Sequence, residues 1–302
     1  MSGVRILITG ASGLLGAYLA RAATSRRLDP SLVGLTLVPE DDPRWLRCDL
    51  TDPDSVARLW ERVAPQLVVH AAALTNVDLC ERDPALADAV NRQTTELLAR
   101  HAVTSGARLV YVSTDSVFDG RRGGYAETDE PAPLNVYART KLEAEREAAA
   151  ADDHLIVRTN FFGRSARGHG LAEWILRQLQ DGNEIVGFSD VVFSPLYCGD
   201  FAELLLELTL GDTRGIVHLG AADAISKLEF AQLVARAAGV EDPKIRPGRL
   251  TEVGLAAPRP LDTSLDSSAA ARQFDGLPTV EEGVRRMTAE SPAVSADRRR
   301  RP

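Results

Sequence analysis

The sequence predicts an α/β fold: a doubly wound parallel sheet followed by a smaller C-terminal part. Two observations carry this. Five short, β-branched and almost unbroken apolar runs recur in the first 160 residues, at 4–9, 32–38, 66–70, 109–113 and 155–159. Such runs suit strands buried on both faces of a parallel sheet. Helical patterns separate them, at 13–25, 53–63, 85–105 and 136–151. Strand, helix, strand at this spacing requires right-handed crossovers and a doubly wound arrangement.

The elements follow in order. The chain enters directly on its first apolar run, with no charged leader or cleavage site, so this start reads as a strand and not as a signal peptide. Pro53 stands where a first helical turn tolerates it. The alanines at 148–151 favour the helix they end. After Thr159 the rhythm loosens. A helix at 171–180 precedes a stretch punctuated by Gly and Pro at 181–195, then an apolar helix at 200–209. A short strand at 216–219 and a helix at 226–238 follow, then 250–287 with Pro258, Pro260 and Pro278. The expected division is 1–160, then 161–290 with elements returning to the first sheet, then a disordered tail at 291–302. The tail ends in four arginines, which a net acidic chain carries as a solvated run.

Composition narrows the class. A chain of 302 residues, 44% hydrophobic and 26% charged, can bury a large core without disulfides or metal. A net charge of −8 argues against a nucleic-acid or anionic-membrane binder. No apolar run approaches the roughly 20 residues a spanning helix needs. Cys48, Cys80 and Cys198 form no metal-spaced cluster and read as reduced thiols, so no metal is expected and a cytoplasmic setting is. Trp45, Trp60 and Trp174 read as packing residues.

Immediately after the first strand stands Thr9-Gly10-Ala11-Ser12-Gly13-Leu14-Leu15-Gly16, opening a helix. Gly10 serves the tight turn, Gly13 lets backbone amides approach a pyrophosphate, and Gly16 lets the helix pack on the sheet. The alternative, a glycine-rich turn without a ligand, is the weaker reading in this context. Asp49, followed by Leu50, suits an adenine amino group, or else caps the helix near Pro53. The second strand run ends Leu37-Val38-Pro39, with no carboxylate for a ribose 2′-hydroxyl. That absence, with Arg44 nearby as a phosphate partner, favours NADP(H) over NAD(H). The competing reading makes Glu40, Asp41, Asp42 and Arg44 solvated loop charges. His70, at the end of the third strand run, is expected to line the cofactor groove.

Tyr137-Ala138-Arg139-Thr140-Lys141 opens another helix, placing a phenol and an ammonium four residues apart on one face. A phenol near its ordinary pKa of about 10 is a poor proton carrier at neutrality unless a cation lowers it. Upstream, Ser113-Thr114-Asp115-Ser116-Val117-Phe118-Asp119-Gly120 lies at a strand's C-terminal end, where open α/β sheets bind ligands. A hydroxyl there can polarise a carbonyl oxygen that the phenol protonates.

Glycine loop, strand-end hydroxyl and Tyr-x-x-x-Lys in this order resemble the extended short-chain dehydrogenase/reductases of Rossmann fold. The finer resemblance is to the dTDP-4-dehydrorhamnose reductase family. It is carried by Val69-His70-Ala71-Ala72-Ala73 with Val77-Asp78, by 113–120, by Glu127-Thr128-Asp129, and by 132–141. Val157-Arg158-Thr159 and Pro258-Arg259-Pro260 extend it. The resemblance implies an NAD(P)H-dependent reductase of a nucleotide-activated 4-keto-6-deoxy sugar. By position, Tyr137 would donate the proton, Lys141 would tune it and hold the nicotinamide ribose, and Thr114 would bond the carbonyl oxygen. Ala71, Ala72 and Ala73 would line the cofactor; Asp115, Ser116, Asn160 and Phe161 would meet the sugar. Arg259 would meet the diphosphate, or form a surface ion pair. Two departures fall in the sugar pocket, Ser116 and Phe161 standing where the family commonly has tyrosine and tryptophan. Related dehydratases carry a glutamate at the third strand-end position, and Ser116 argues against that reaction. A non-catalytic cofactor-binding subunit, as in the methionine adenosyltransferase regulatory subunit, and a nucleotide-sugar epimerase are the alternatives. Homodimerisation stays open.

Overall fold

A computed structural model describes residues 4–35, 38–165 and 170–290. The tail at 291–302 and the end of the second strand run lie outside the described residues. The first half contains β1 (Ile6–Thr9), α1 (Leu14–Ser25), β2 (Pro30–Gly34), β3 (Trp45–Arg47), α2 (Pro53–Val63) and β4 (Leu67–His70). Then come α3 (Val77–Arg82), α4 (Pro84–Asp88), α5 (Thr94–Ser105), β5 (Arg108–Val112), α6 (Val136–Ala148) and β6 (His154–Arg158). The later half adds β7 (Phe161–Phe162), α7 (Leu171–Gln180), β8 (Ile185–Phe188), β9 (Val192–Phe193), β10 (Leu196–Tyr197) and α8 (Cys198–Leu210). It ends with β11 (Gly215–His218), β12 (Ile225–Ser226), α9 (Lys227–Ala237), β13 (Ile245–Gly248), α10 (Ser268–Ala271) and α11 (Val280–Ala289).

Seven parallel strands form the central sheet in the order β11-β6-β5-β4-β1-β2-β3. The chain winds outward from β1 to β3, then crosses to β4 and winds the other way. That reversal opens a crevice at the C-terminal ends of β1 and β4, where Thr9 and His70 are in register. Alternation along β1 divides the core, with Ile6 and Ile8 on the face covered by α1, α7, α8 and α9, and Leu7 on the face covered by α2, α5 and α6. β11 joins the sheet at β6, so a late element extends the first half.

Several expectations shift. β2 begins at Pro30, two residues before its apolar run, because proline is tolerated at the first position of a strand. The helix expected at 85–105 divides into α4, a π-helical turn (Ala89–Gln93) and α5. Helix α3 was not foreseen; Asn76 caps it, its side chain accepting from the Leu79 N–H at 2.9 Å. Trp174 is 40% exposed and is no core residue, because α7 turns Ala172, Ile175, Leu176 and Leu179 inward instead.

Candidate active site

Gly10 takes φ +69°, a left-handed backbone costly for any side chain, and a β-carbon there would lie 2.7 Å from the Ala72 nitrogen. A β-carbon on Gly16 would collide with the Gly10 carbonyl and Ala11. The two glycines therefore let the turn, the start of α1 and the loop after β4 close on one another. Gly13 is the N-cap of α1 and offers no side-chain acceptor. The first-turn N–H groups of Leu14, Leu15 and Gly16 are thus left for an anion, as a dinucleotide pyrophosphate requires. Ser12 completes the turn, and Ala71, Ala72 and Ala73 form its half-buried opposite wall.

His70 does not line this groove. It is fully buried behind it. The Thr95 hydroxyl donates to the Asn91 carbonyl at 2.7 Å, so its oxygen receives the His70 Nε2 proton at 3.1 Å. His70 Nδ1 then accepts from the Thr9 hydroxyl at 2.7 Å, and Thr9 Oγ1 accepts the Ala72 N–H at 3.3 Å. Burial, helped by nearby Lys141, pushes the imidazole down to about 3, so the ring is neutral. The sequence suggested the groove because the strand ends at His70; β-strand alternation turns the ring inward.

Asn135 fixes where α6 begins, its side chain accepting the Ala138 N–H and donating to the Pro258 carbonyl, both at 2.9 Å. Tyr137 follows on that first turn and Lys141 on the next. The half-buried Tyr137 phenol lies beside the Thr114 side chain, whose hydroxyl donates to Asp115 Oδ1 at 3.2 Å. Burial raises this phenol to about 12, against the lowering effect of Thr114. Lys141, 3% exposed, donates to the Val112 carbonyl at 2.7 Å and lies 4.1 Å from the Tyr111 ring centroid. Burial lowers its ammonium to about 7, partly opposed by Glu145. The expected lowering of the phenol by Lys141 is not what the site shows: loss of water around the ring dominates, and Thr114 is the neighbour that opposes it. The structure does bring Thr114, Tyr137 and Lys141 together at the end of β5.

Asp115 organises the adjoining wall. It is 1% exposed, and its Oδ1 accepts from Thr114 and Ser116, each at 3.2 Å. Its Oδ2 accepts from Asn160 at 2.9 Å and Thr263 at 2.7 Å. Burial raises the carboxyl's pKa, while these donors and Lys227 pull it down. Phe161 borders the region half-buried, its ring 5.8 Å from Phe201. Sequence reasoning missed Thr263, which lies three residues beyond the quoted Pro258-Arg259-Pro260, and Lys227. The signal for Lys227 was a lone cation opening an apolar helix.

The peripheral candidates are held differently. Asp52, and not Asp49, caps α2. Asp49 Oδ1 accepts from the Thr51 backbone and hydroxyl, and Leu50 beside it is half-buried. Arg44 is paired with Asp42 at 2.7 Å, which occupies part of its guanidinium. Arg259 pairs with Asp78 at 3.0 Å and donates to the Ala257 carbonyl at 2.9 Å. This is the ion pair the sequence offered as the alternative to a diphosphate contact.

The model for the RmlD substrate binding domain matches residues 4–292. The chain belongs to the RmlD family. Among its relatives, dTDP-4-dehydrorhamnose reductase of Mycobacterium tuberculosis is 35% identical over 278 residues, covering 89% of this chain and 86% of that protein. Methionine adenosyltransferase 2 subunit beta of Danio rerio is 32% identical over 274 residues, covering 87% and 83%. The crystal structure of dTDP-4-dehydrorhamnose reductase from Bacillus anthracis in complex with NADP superposes with a TM-score of 0.86 at 28% identity, covering 96% of this chain and all of that one. The RmlD-family Rossmann fold read from the sequence is therefore the fold of this protein. Among the described residues no cluster of metal-ligating side chains occurs, and no helix is long and apolar enough to cross a membrane.

Proposed function

We propose that the protein is an NADPH-dependent reductase of a nucleotide-activated 4-keto-6-deoxyhexose. The single observation that carries this is the half-buried Tyr137 phenol beside Thr114 at the end of β5, one turn from buried Lys141. The uncapped α1 terminus and the space kept by Gly10 and Gly16 fit a dinucleotide pyrophosphate. A nicotinamide dinucleotide bound there supplies the hydride that reduces the carbonyl carbon. β2 ends on Gly34, with Leu35 after it, so no carboxylate at its tip repels a 2′-phosphate, which favours NADP(H) while leaving NAD(H) usable. The NADP complex of the Bacillus anthracis relative supports the same choice.

In this reading Thr114 turns its hydroxyl from Asp115 to the sugar carbonyl, and Tyr137 gives its proton to that oxygen as the alcohol forms. With burial raising the phenol to about 12, Tyr137 is protonated at neutrality and already in the form that reduction consumes. Lys141 holds charge next to the phenolate that results. Asp115, held by four neutral donors, shapes the sugar pocket with Ser116, Asn160 and Phe161.

The test is NADPH consumption with a dTDP-4-keto-6-deoxyhexose. Tyr137→Phe should lower kcat by roughly 10²–10⁴ while NADPH binding persists. Retention of most of the rate in that variant rules the mechanism out. A second reading, a cofactor-binding subunit without turnover, is favoured by the relatives named methionine adenosyltransferase 2 subunit beta. It predicts that wild-type protein binds NADPH and consumes none with these sugars.

A further inference from the structure

Lys227 occupies the first position of α9, directly after its cap Ser226. A cation there opposes the positive end of the helix dipole, and Glu229, three residues beyond the cap, is already used by Ser226. Burial drives the ammonium down to about 7, although Asp115 attracts it. Among the described residues Lys227 makes no ion pair. Its ammonium rests 3.2 Å from the centroid of the Phe193 ring. Asp115 cannot satisfy it, because Thr114, Ser116, Asn160 and Thr263 already occupy both carboxylate oxygens. The surrounding wall is tightly built: β12 pairs with β9, the Lys227 N–H donates to the Val191 carbonyl at 2.8 Å, and the Thr263 N–H donates to the Val192 carbonyl at 3.0 Å. A half-buried ammonium with spare donors, in a place that costs helix stability, is a local rule broken beside a site.

We infer that Lys227 is a sugar-recognition residue, donating from its ammonium to a ring hydroxyl of the hexose beside Asp115. This rests on the reductase reading above and adds what the pocket selects: a sugar carrying an oxygen at the carbon that Lys227 meets. With tyrosine and tryptophan replaced by Ser116 and Phe161, a charged donor from α9 takes over part of the sugar's recognition.

The experiment compares wild type with Lys227→Met on dTDP-4-keto-6-deoxyglucose and on its analogues lacking the 2- or the 3-hydroxyl. Lys227→Met should raise KM roughly tenfold with kcat changed less than about threefold, and should leave NADPH affinity unaltered. One deoxy analogue should be handled alike by both proteins, because the contact is already missing. A KM for the parent sugar within about twofold of wild type overturns the inference and leaves the reductase reading intact. Should Lys227→Met fail to fold, Lys227→Leu, which also lacks a donor, gives the same comparison. Absence of turnover in wild type overturns the reductase reading instead. Lys227 is then judged by calorimetric binding of dTDP-glucose, which the variants weaken at least about fivefold if the inference holds and leave unchanged if it is wrong.

Discussion

The Lys141 ammonium donates to the Val112 carbonyl at 2.7 Å, pinning the first turns of α6 to the last residue of β5. Two elements consecutive in the chain, their bonded residues 29 apart, are thereby held against one another. The bond places a cation where water cannot reach it.

That position has a pH signature. The Lys141 amine has an ordinary value of 10.5 and is lowered to about 7 by burial. Between those values the unfolded chain binds more protons than the folded one, so stability rises with pH across the window. Below about 7 the full cost of the buried charge is present. Lys141→Met should therefore stabilise the protein more near pH 6 than near pH 10, by about 2–4 kcal/mol in the difference. Urea denaturation of both proteins at the two pH values measures it. A difference independent of pH would show that the ammonium is not desolvated.

The glycine turn should be intolerant of one methyl group. In Gly16→Ala the new carbon meets the Gly10 carbonyl and the Ala11 backbone, neither of which is a flexible side chain. NADPH affinity should fall more than about tenfold, with a stability loss of roughly 1–3 kcal/mol. Fluorescence titration and thermal melting report the two effects, and affinity equal to wild type would place the pyrophosphate elsewhere.

Glu145 and Arg158 are 4% and 3% exposed and pair at 2.7 Å, with Ser113 donating to the same carboxylate. Removing one partner strands the other charge in the core. Glu145→Ala should cost about 3–5 kcal/mol, read as a lowered urea midpoint. A loss below about 1 kcal/mol would mean that water reaches Arg158.

How much of this was legible follows from the kind of signal involved. The sheet was readable because its strands are buried on both faces, which writes long apolar runs such as Leu67-Val68-Val69 into the sequence. The glycine turn and Tyr137–Lys141 were readable because their chemistry fixes short spacings. His70 was misplaced because a strand-end position does not reveal which way the ring turns. The π-helical turn was invisible, since Ala89–Gln93 continues a helical pattern and only the bonds of Asn91 to Leu74 and Thr140 mark it. The wall around Asp115 was hardest, because Thr263 meets it across 148 residues and no local pattern encodes such a meeting.

That last meeting decides when a sugar pocket can exist. Asp115 is a knot tied with strings from three stretches of chain, and the Thr263 string arrives from near the far terminus. Until it arrives, a growing polypeptide has its glycine turn in place but leaves one oxygen of Asp115 short of a donor. The wall around Asp115 is thus completed only when almost the whole chain is present.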